Sequence, residues 1–279
     1  MPFTGFILEL ETPLHIGAGR GGMLLRGHGF IPGHVVSYAL AAAIGKAGGG
    51  QSADFSQALD SVLQHTRCGP LFIRNPKEQQ PFTPRRDRIT IENRYLTART
   101  QVALDVTTGS AIDRALFEVE SIAARTVHGP CRGQPVQLVG GLWHTTPQLA
   151  GKSLHDWFSR GLLLGGELKT GLGRGALAKP GWMPNVPHYA QCPDWPVNDH
   201  GLRRTQGDLL PGPSLDGTIN APWQPWLGRR FDEKLGYGRR FPGAALVRMD
   251  ATCLTPGDYL PATGEVGLGC WTCVDAPAD

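Results

Sequence analysis

The chain has 279 residues, 41% of them hydrophobic and 18% charged, which is enough apolar material for a packed core in one large domain or two ordinary ones and excludes a disordered chain. With 38 glycines and 23 prolines the composition suits a loop-rich α+β protein and speaks against a helical bundle. A net charge of +3 is too small to decide for or against a polyanionic partner, so the distribution of charge matters more than its sum.

Residues 3–10 have strand composition, and the run Thr12-Pro13-Leu14-His15-Ile16-Gly17-Ala18-Gly19 breaks them into a loop that continues to residue 22. Phe30-Ile31-Pro32-Gly33-His34 reads as a short strand and turn, followed by an alanine-rich helix over 35–46 that stops at Gly48-Gly49-Gly50. A second helix is expected over 54–64, with Phe55, Leu59, Val62 and Leu63 on one face, and a short strand over 71–73. The next segment is basic: Arg85, Arg86, Arg88, Arg94 and Arg99 are accompanied by only two acids, Asp87 and Glu92.

Residues 101–104 and 116–122 alternate like paired strands around a loop at 105–111, so a hairpin is expected, with a further strand over 136–142. An amphipathic helix over 153–164 then runs into Gly165-Gly166-Glu167-Leu168-Lys169-Thr170-Gly171-Leu172-Gly173-Arg174-Gly175. Glycines this dense supply positive φ angles or allow close backbone approach, and Lys169 and Arg174 add positive charge, so a phosphate backbone is the expected partner. Nucleotide-cofactor loops fit poorly. Their glycines open a helix after a strand, whereas these follow a helical pattern, and Lys169-Thr170 lacks the glycine spacing of a Walker motif.

The first 178 residues thus form a β-α-β-β-α-β-like unit. Residues 179–226, rich in Pro, Trp, Asn and Asp, read as an irregular connection, and 179–279 as a second, smaller α+β half with a strand over 244–254 and a glycine-rich echo at 264–269. No apolar stretch reaches the ~18 residues of a membrane span, and residues 1–10 have no cationic leader, which points to the cytoplasm and to free thiols or a metal for the six cysteines.

Spacing singles out His65-x-x-Cys68 and His128-x-x-Cys131, which together would supply four N/S ligands for a structural zinc. Cys270 and Cys273 read instead as buried thiols of one strand and its turn. There is no nucleophile elbow, triad order or paired-carboxylate context, and His15 at a strand end reads as a structural histidine.

Four segments in order, Pro13-Leu14-His15-Ile16-Gly17, Phe30-Ile31-Pro32-Gly33-His34, Leu116-Phe117-Glu118-Val119-Glu120 and the loop at 164–175, resemble the CRISPR-associated RAMP superfamily. The resemblance implies a ferredoxin-like, RNA-recognition-motif-like fold with a second, reduced ferredoxin-like half, in a subunit of a class 1, type III-like effector complex. Backbone subunits of that kind carry a cleaving aspartate in the loop that corresponds to residues 17–30, and none is present here. With its second glycine-rich segment the chain therefore looks most like the non-catalytic subunit that caps the 5′ handle of the guide RNA.

The alternatives are a backbone subunit polymerising along the guide, or a metal-independent endoribonuclease maturing CRISPR RNA with His15, His28 or His34 as acid or base. A cap needs phosphate-neutralising side chains on loops. The candidates are Arg20, Arg26 and His28 in the first loop, Arg85, Arg86, Arg88 and Arg99 in the basic segment, Lys169 and Arg174 in the glycine loop, and Arg239 and Arg240 further on. Each alone reads equally well as a solvated surface side chain, and the cluster is stronger than its members. The partners implied are the guide RNA, backbone RAMP subunits, a large nuclease or polymerase-like subunit, and target nucleic acid reached through the complex. No cofactor is required beyond the candidate zinc.

Overall fold

The computed structural model describes residues 1–78, 80–204 and three short strands at 224–225, 252–253 and 264–267. In chain order, β1 (Phe3–Leu10) is followed by β2 (Gly17–Gly21), β3 (Leu24–Gly27), β4 (Phe30–Ile31), α1 (Gly33–Gly48), α2 (Ser52–His65), β5 (Thr66–Cys68) and β6 (Leu71–Arg74). Next come α3 (Arg88–Tyr95), β7 (Leu96–Leu104), β8 (Ala111–Ile122), β9 (Gln137–His144), β10 (Gln148–Leu149), β11 (Lys152–Ser153), α4 (Leu154–Ser159), β12 (Leu162–Leu163) and β13 (Arg174–Pro184). The remaining short strands are β14 (Val197–Asn198), β15 (Gly201–Arg204), β16 (Gln224–Pro225), β17 (Thr252–Cys253) and β18 (Gly264–Gly267), with β15 joining β14 to β18.

The main sheet runs β12-β13-β1-β9-β6-β4, with β5 also paired to β9, and its pairings are antiparallel. Strand alternation sends Phe6, Leu8 and Leu10 of β1, Leu71 and Ile73 of β6, and Leu138 and Leu142 of β9 to the face covered by α1, α2 and α4. The helices meet them with Leu40, Ile44, Leu59, Val62, Trp157 and Phe158. Local chemistry fixes the helix starts. Asp54 accepts from the Gln51 N–H at 2.9 Å within a capping box at α2, and Ser153 accepts from the Asp156 N–H at 3.0 Å at α4.

The opposite face of the sheet is covered as well. Phe3, Ile7, Phe72, Val139 and Trp143 pack beneath Tyr189, Trp195 and Leu202, with Trp143 and Tyr189 stacked at 5.9 Å and Phe72 and Trp195 tilted against each other at 5.6 Å. The Tyr189 hydroxyl donates to the Pro70 carbonyl at 2.5 Å, and the Trp143 indole N–H donates to the Asn198 carbonyl at 2.7 Å. The segment expected to be an irregular connection is therefore, as far as residue 204, the continuation of β13 followed by a cover for the sheet.

Two further expectations change. The helix expected over 153–164 ends at Ser159, because the chain turns at Gly161 and enters β12, which pairs with the start of β13. The loop expected over 12–22 contains β2, which pairs with β3 in a second, four-stranded sheet of order β2-β3-β8-β7. In that sheet β3 and β8 are parallel, and β7 and β8 form the expected hairpin around residues 105–110.

Candidate nucleic-acid interface

Three of the four sequence segments set apart above converge on one junction; the fourth, Phe30–His34, enters the main sheet, where Phe30 faces Phe72 and Ile31 faces Leu71. His15 lies at its centre: its Nδ1–H donates to the Glu120 carbonyl at 2.6 Å, and its own carbonyl accepts from the Gly166 N–H at 2.9 Å. On the adjoining strand the Glu120 carboxylate accepts from the Gly27 N–H at 2.8 Å, and the His28 N–H donates to the Ile16 carbonyl at 2.7 Å. Leu14 and Ile122 exchange two backbone bonds of 2.8 Å. Glu120 is thus a hub that a search for cations passes over; the Phe117-Glu118-Val119-Glu120 segment was its only signal.

The glycine loop closes over this junction. Gly165 has φ +74° and Gly173 φ +90°, and a Cβ at either would lie about 2 Å from a carbonyl oxygen, 2.2 Å from that of His15 and 2.1 Å from that of Leu164. Backbone bonds from Gly173 N–H to Pro13 (2.8 Å) and from Leu164 N–H to Gly173 (2.7 Å) fix the two ends of the loop. The crown between them, Leu168–Thr170 in a single 3₁₀ turn, carries Lys169 exposed at its tip.

Around His15 the other two histidines are held neutral. Burial first, and then the neighbouring His15, pushes His28 down to about 4; burial, and then His28, does the same to His34, also to about 4. His15 and His34 are buried, in keeping with structural roles for both.

The predicted cations divide into two groups. The first is presented to solvent: Arg20 on β2, Arg26 on β3, Arg99 on β7 and Lys169 are exposed and form no ion pair among the described residues. Register places Arg20 and Arg99 at opposite ends of one row of the four-stranded sheet, since Arg20 faces Leu25, Leu25 faces Val119 and Val119 faces Arg99. The second group is engaged within the chain. Arg86 donates to Gln80 at 2.8 Å, to Asp87 at 2.8 Å and to the Pro81 carbonyl, Arg88 pairs with Glu92 at 2.7 Å, and Arg174 pairs with Glu11. Arg85 is exposed on the turn before α3, while Arg239 and Arg240 lie outside the described residues.

The zinc candidates are not gathered into a site: no three His, Cys, Asp or Glu side chains come together for a metal among the described residues. His65 Nδ1 bonds the Thr145 hydroxyl at 2.9 Å, the Cys131 thiol bonds the Asn75 amide, and His128 is exposed. Cys68 is fully buried, which pushes its thiol up to about 11 and disfavours the thiolate a metal needs. These residues do not fit a tetrahedral centre. Cys68, Cys131 and Cys192 are buried thiols that form no disulfide, and Cys270 and Cys273 lie outside the described residues.

The arrangement offers exposed cations on loops and strands around a rigid backbone junction. It does not offer the open aromatic sheet face on which RNA-recognition motifs stack bases, because Tyr189 and Trp195 occupy that face. Among the described residues, no helix is long and apolar enough to cross a membrane. No family model matches the chain, and no curated protein matches it. Solved structures similar to it include chains of type III-B Cmr-beta complexes. One, from the complex bound to cognate target RNA, shares 11% identity over 64% of this chain and 96% of that chain, with a TM-score of 0.36. Another, from the complex bound to cognate target RNA and AMPPnP, shares 11% over 76% of this chain and 69% of that chain, with a TM-score of 0.37; a chain from the apo state shares 10% over 64% and 96%, with a TM-score of 0.38.

Proposed function

We propose that this chain is a non-catalytic RNA-binding subunit of a class 1 CRISPR effector complex, holding the 5′ handle of the guide and contacting the adjacent backbone subunit. The observation that carries the reading is convergence: three of the four segments that resemble RAMP proteins in sequence, up to about 150 residues apart, form one hydrogen-bonded junction around His15, Glu120 and Gly166, while the fourth, Phe30–His34, enters the main sheet beside Leu71 and Phe72. The order β1, helices, β6, β9, helix, β13, with spatial order β13-β1-β9-β6 and antiparallel pairing, supports a ferredoxin-like unit. Burial of His15 and His34 and the low affinity of His28 for protons favour binding over cutting. On this reading the partners are guide RNA, a backbone RAMP subunit and a large nuclease or polymerase-like subunit at the same end, with target nucleic acid reached through the complex. The protein works in the cytoplasm and needs no cofactor.

Sequencing the RNA that co-purifies with the tagged protein and its operon neighbours, with subunit stoichiometry by native mass spectrometry, tests the reading. A uniform 5′ end and one copy per complex are expected. Several copies per complex would indicate a backbone subunit, cutting of repeat RNA in EDTA a processing enzyme, and absence of any discrete small RNA would refute the proposal.

A further inference from the structure

A cleft of about 490 Å³, within the range of small-ligand sites, opens where the sheet face opposite the helices is left uncovered by Tyr189 and Trp195. Its floor is one row of the main sheet: Glu9 of β1 faces Gln137 of β9, which faces Arg74 of β6. Its walls are two backbone-bonded turns. In the first, the Asn75 side chain accepts from the Lys77 N–H at 3.0 Å, which sets Lys77 at the rim. In the second, Arg132 N–H donates to Gly129 at 3.1 Å and Gln134 N–H to Cys131 at 3.0 Å, which sets Arg132 at the rim. Arg74, Lys77 and Arg132 thus line the cleft with Glu9 as the sole carboxylate among the described residues, and none of the three cations has an ion-pair partner among them. Arg74 is half-buried, and its desolvation leaves a guanidinium that an entering anion would satisfy.

The cleft lies next to the glycine loop along the sheet. Glu9 also faces Ala176 of β13, and Arg174 lies two residues before Ala176 on the same face of that strand, one step of roughly 7 Å along it. We propose that the Arg74–Lys77–Arg132 cleft is a phosphate-binding station for single-stranded RNA, extending the RNA path from the glycine loop across the open end of the sheet. This rests on the RNA-binding function proposed above. The three cations suit a phosphodiester approached from several sides, with Arg74 as the inner contact and Lys77 and Arg132 closing from the rim.

The test is RNA affinity of the full chain against salt, read by anisotropy of a fluorescein-labelled single-stranded RNA of mixed sequence. Three double variants are compared: Lys77→Ala with Arg132→Ala, Arg20→Ala with Lys169→Ala, and Lys46→Ala with Arg160→Ala as an equal charge loss on the helical side. Lys77 and Arg132 are exposed, so an unchanged thermal melt is expected. Losing two phosphate contacts on a single strand lowers the log–log salt slope by about 1.4 and the affinity about tenfold near physiological salt. The inference requires that loss for the cleft pair and little change for the helical pair. A wild-type slope in the cleft variant, or an equal loss in the helical control, overturns it. If only the junction pair lowers the slope, the RNA-binding function stands and the cleft assignment falls; a wild-type chain without salt-dependent affinity removes both.

Discussion

The junction around the glycine loop and the basic segment at 85–99 carry similar charge in sequence and present it differently in space. At the junction, backbone amides and glycines do the structural work, so Arg20, Arg26 and Lys169 face solvent without acidic partners among the described residues. In the basic segment the arginines before β7 do the structural work themselves, since Arg86 ties the 80–87 turn together and Arg88 pairs one turn along α3 with Glu92, whereas Arg99, on β7, is presented to solvent as the junction's cations are. Arginine density therefore leaves cations open to a ligand only where something other than the arginines shapes the backbone. Arg174, inside the glycine loop but paired with Glu11, is the exception on the favourable side.

The sharpest separation of the two regions is by acid. His28 and His34 bind protons in the unfolded chain near 6.5 but in the fold only near 4, so the unfolded state takes up protons that the native junction refuses. Their contribution is complete above about pH 6.5 and falls as pH drops toward 4, by up to about 1.4 kcal/mol per pH unit for each histidine. Urea melts from pH 7 to 4.5 should show this slope, and His28→Gln should flatten it by one histidine's share; an unchanged slope would place His28 in solvent. Gly165→Ala tests the same region by strain. A positive φ and a Cβ 2.2 Å from the His15 carbonyl predict a loss of about 3 kcal/mol, against about 1 kcal/mol for Gly171→Ala, which has φ +84° and open space around its Cβ. Equal losses at the two positions would mean that the loop does not clamp the junction.

The arginines give the next contrast. Arg86→Ala should cost about 1 kcal/mol of stability through its lost bonds to Gln80, Pro81 and Asp87 while leaving the salt dependence of RNA binding unaltered. Arg20→Ala and Arg99→Ala should do the reverse, with unchanged melts and a slope reduced by about 0.7 each. The distinction between the regions collapses if Arg86→Ala lowers the slope as much as Arg20→Ala does.

Elements set by local periodicity were legible in the sequence: β1, α1 and α2 lie within a few residues of expectation, and the β7–β8 hairpin turns where expected although both its strands begin five residues earlier. Those set by strand pairing rather than by composition were not. Gly17–Gly21 has no strand composition and becomes a strand through Leu24–Gly27, and residues 160–164 continue a helical pattern but are captured by β13. The glycine loop was recognisable from composition, yet which glycines clamp it depends on where His15 and Leu164 lie in space. The cleft was invisible for the same reason, because Arg74 and Arg132 are separated by the whole β7–β8 arm and meet only through the register of β6 and β9.

That arm supplies the smallest expected effect on the fold and a third way of presenting surface. Leu104 is 56% exposed and Val106 fully so, with Val102, Ile112 and Leu116 also exposed beside them. Solvent-facing apolar side chains gathered on one hairpin mark a contact surface more often than a solvated loop does. The loop itself is well built: Asp105 accepts from the N–H groups of Thr107 and Thr108 at 2.8 Å each, which holds its carboxyl below the usual range. Leu104→Ser with Val106→Ser should therefore change stability by no more than about 0.5 kcal/mol, and affinity for free RNA should be unaltered because no cation is removed. Recovery of the backbone subunit with the tagged chain should fall. Undiminished recovery would assign the contact to another surface, whereas a fall in free-RNA affinity would place the hairpin on the nucleic acid and extend the interface beyond the junction's cations.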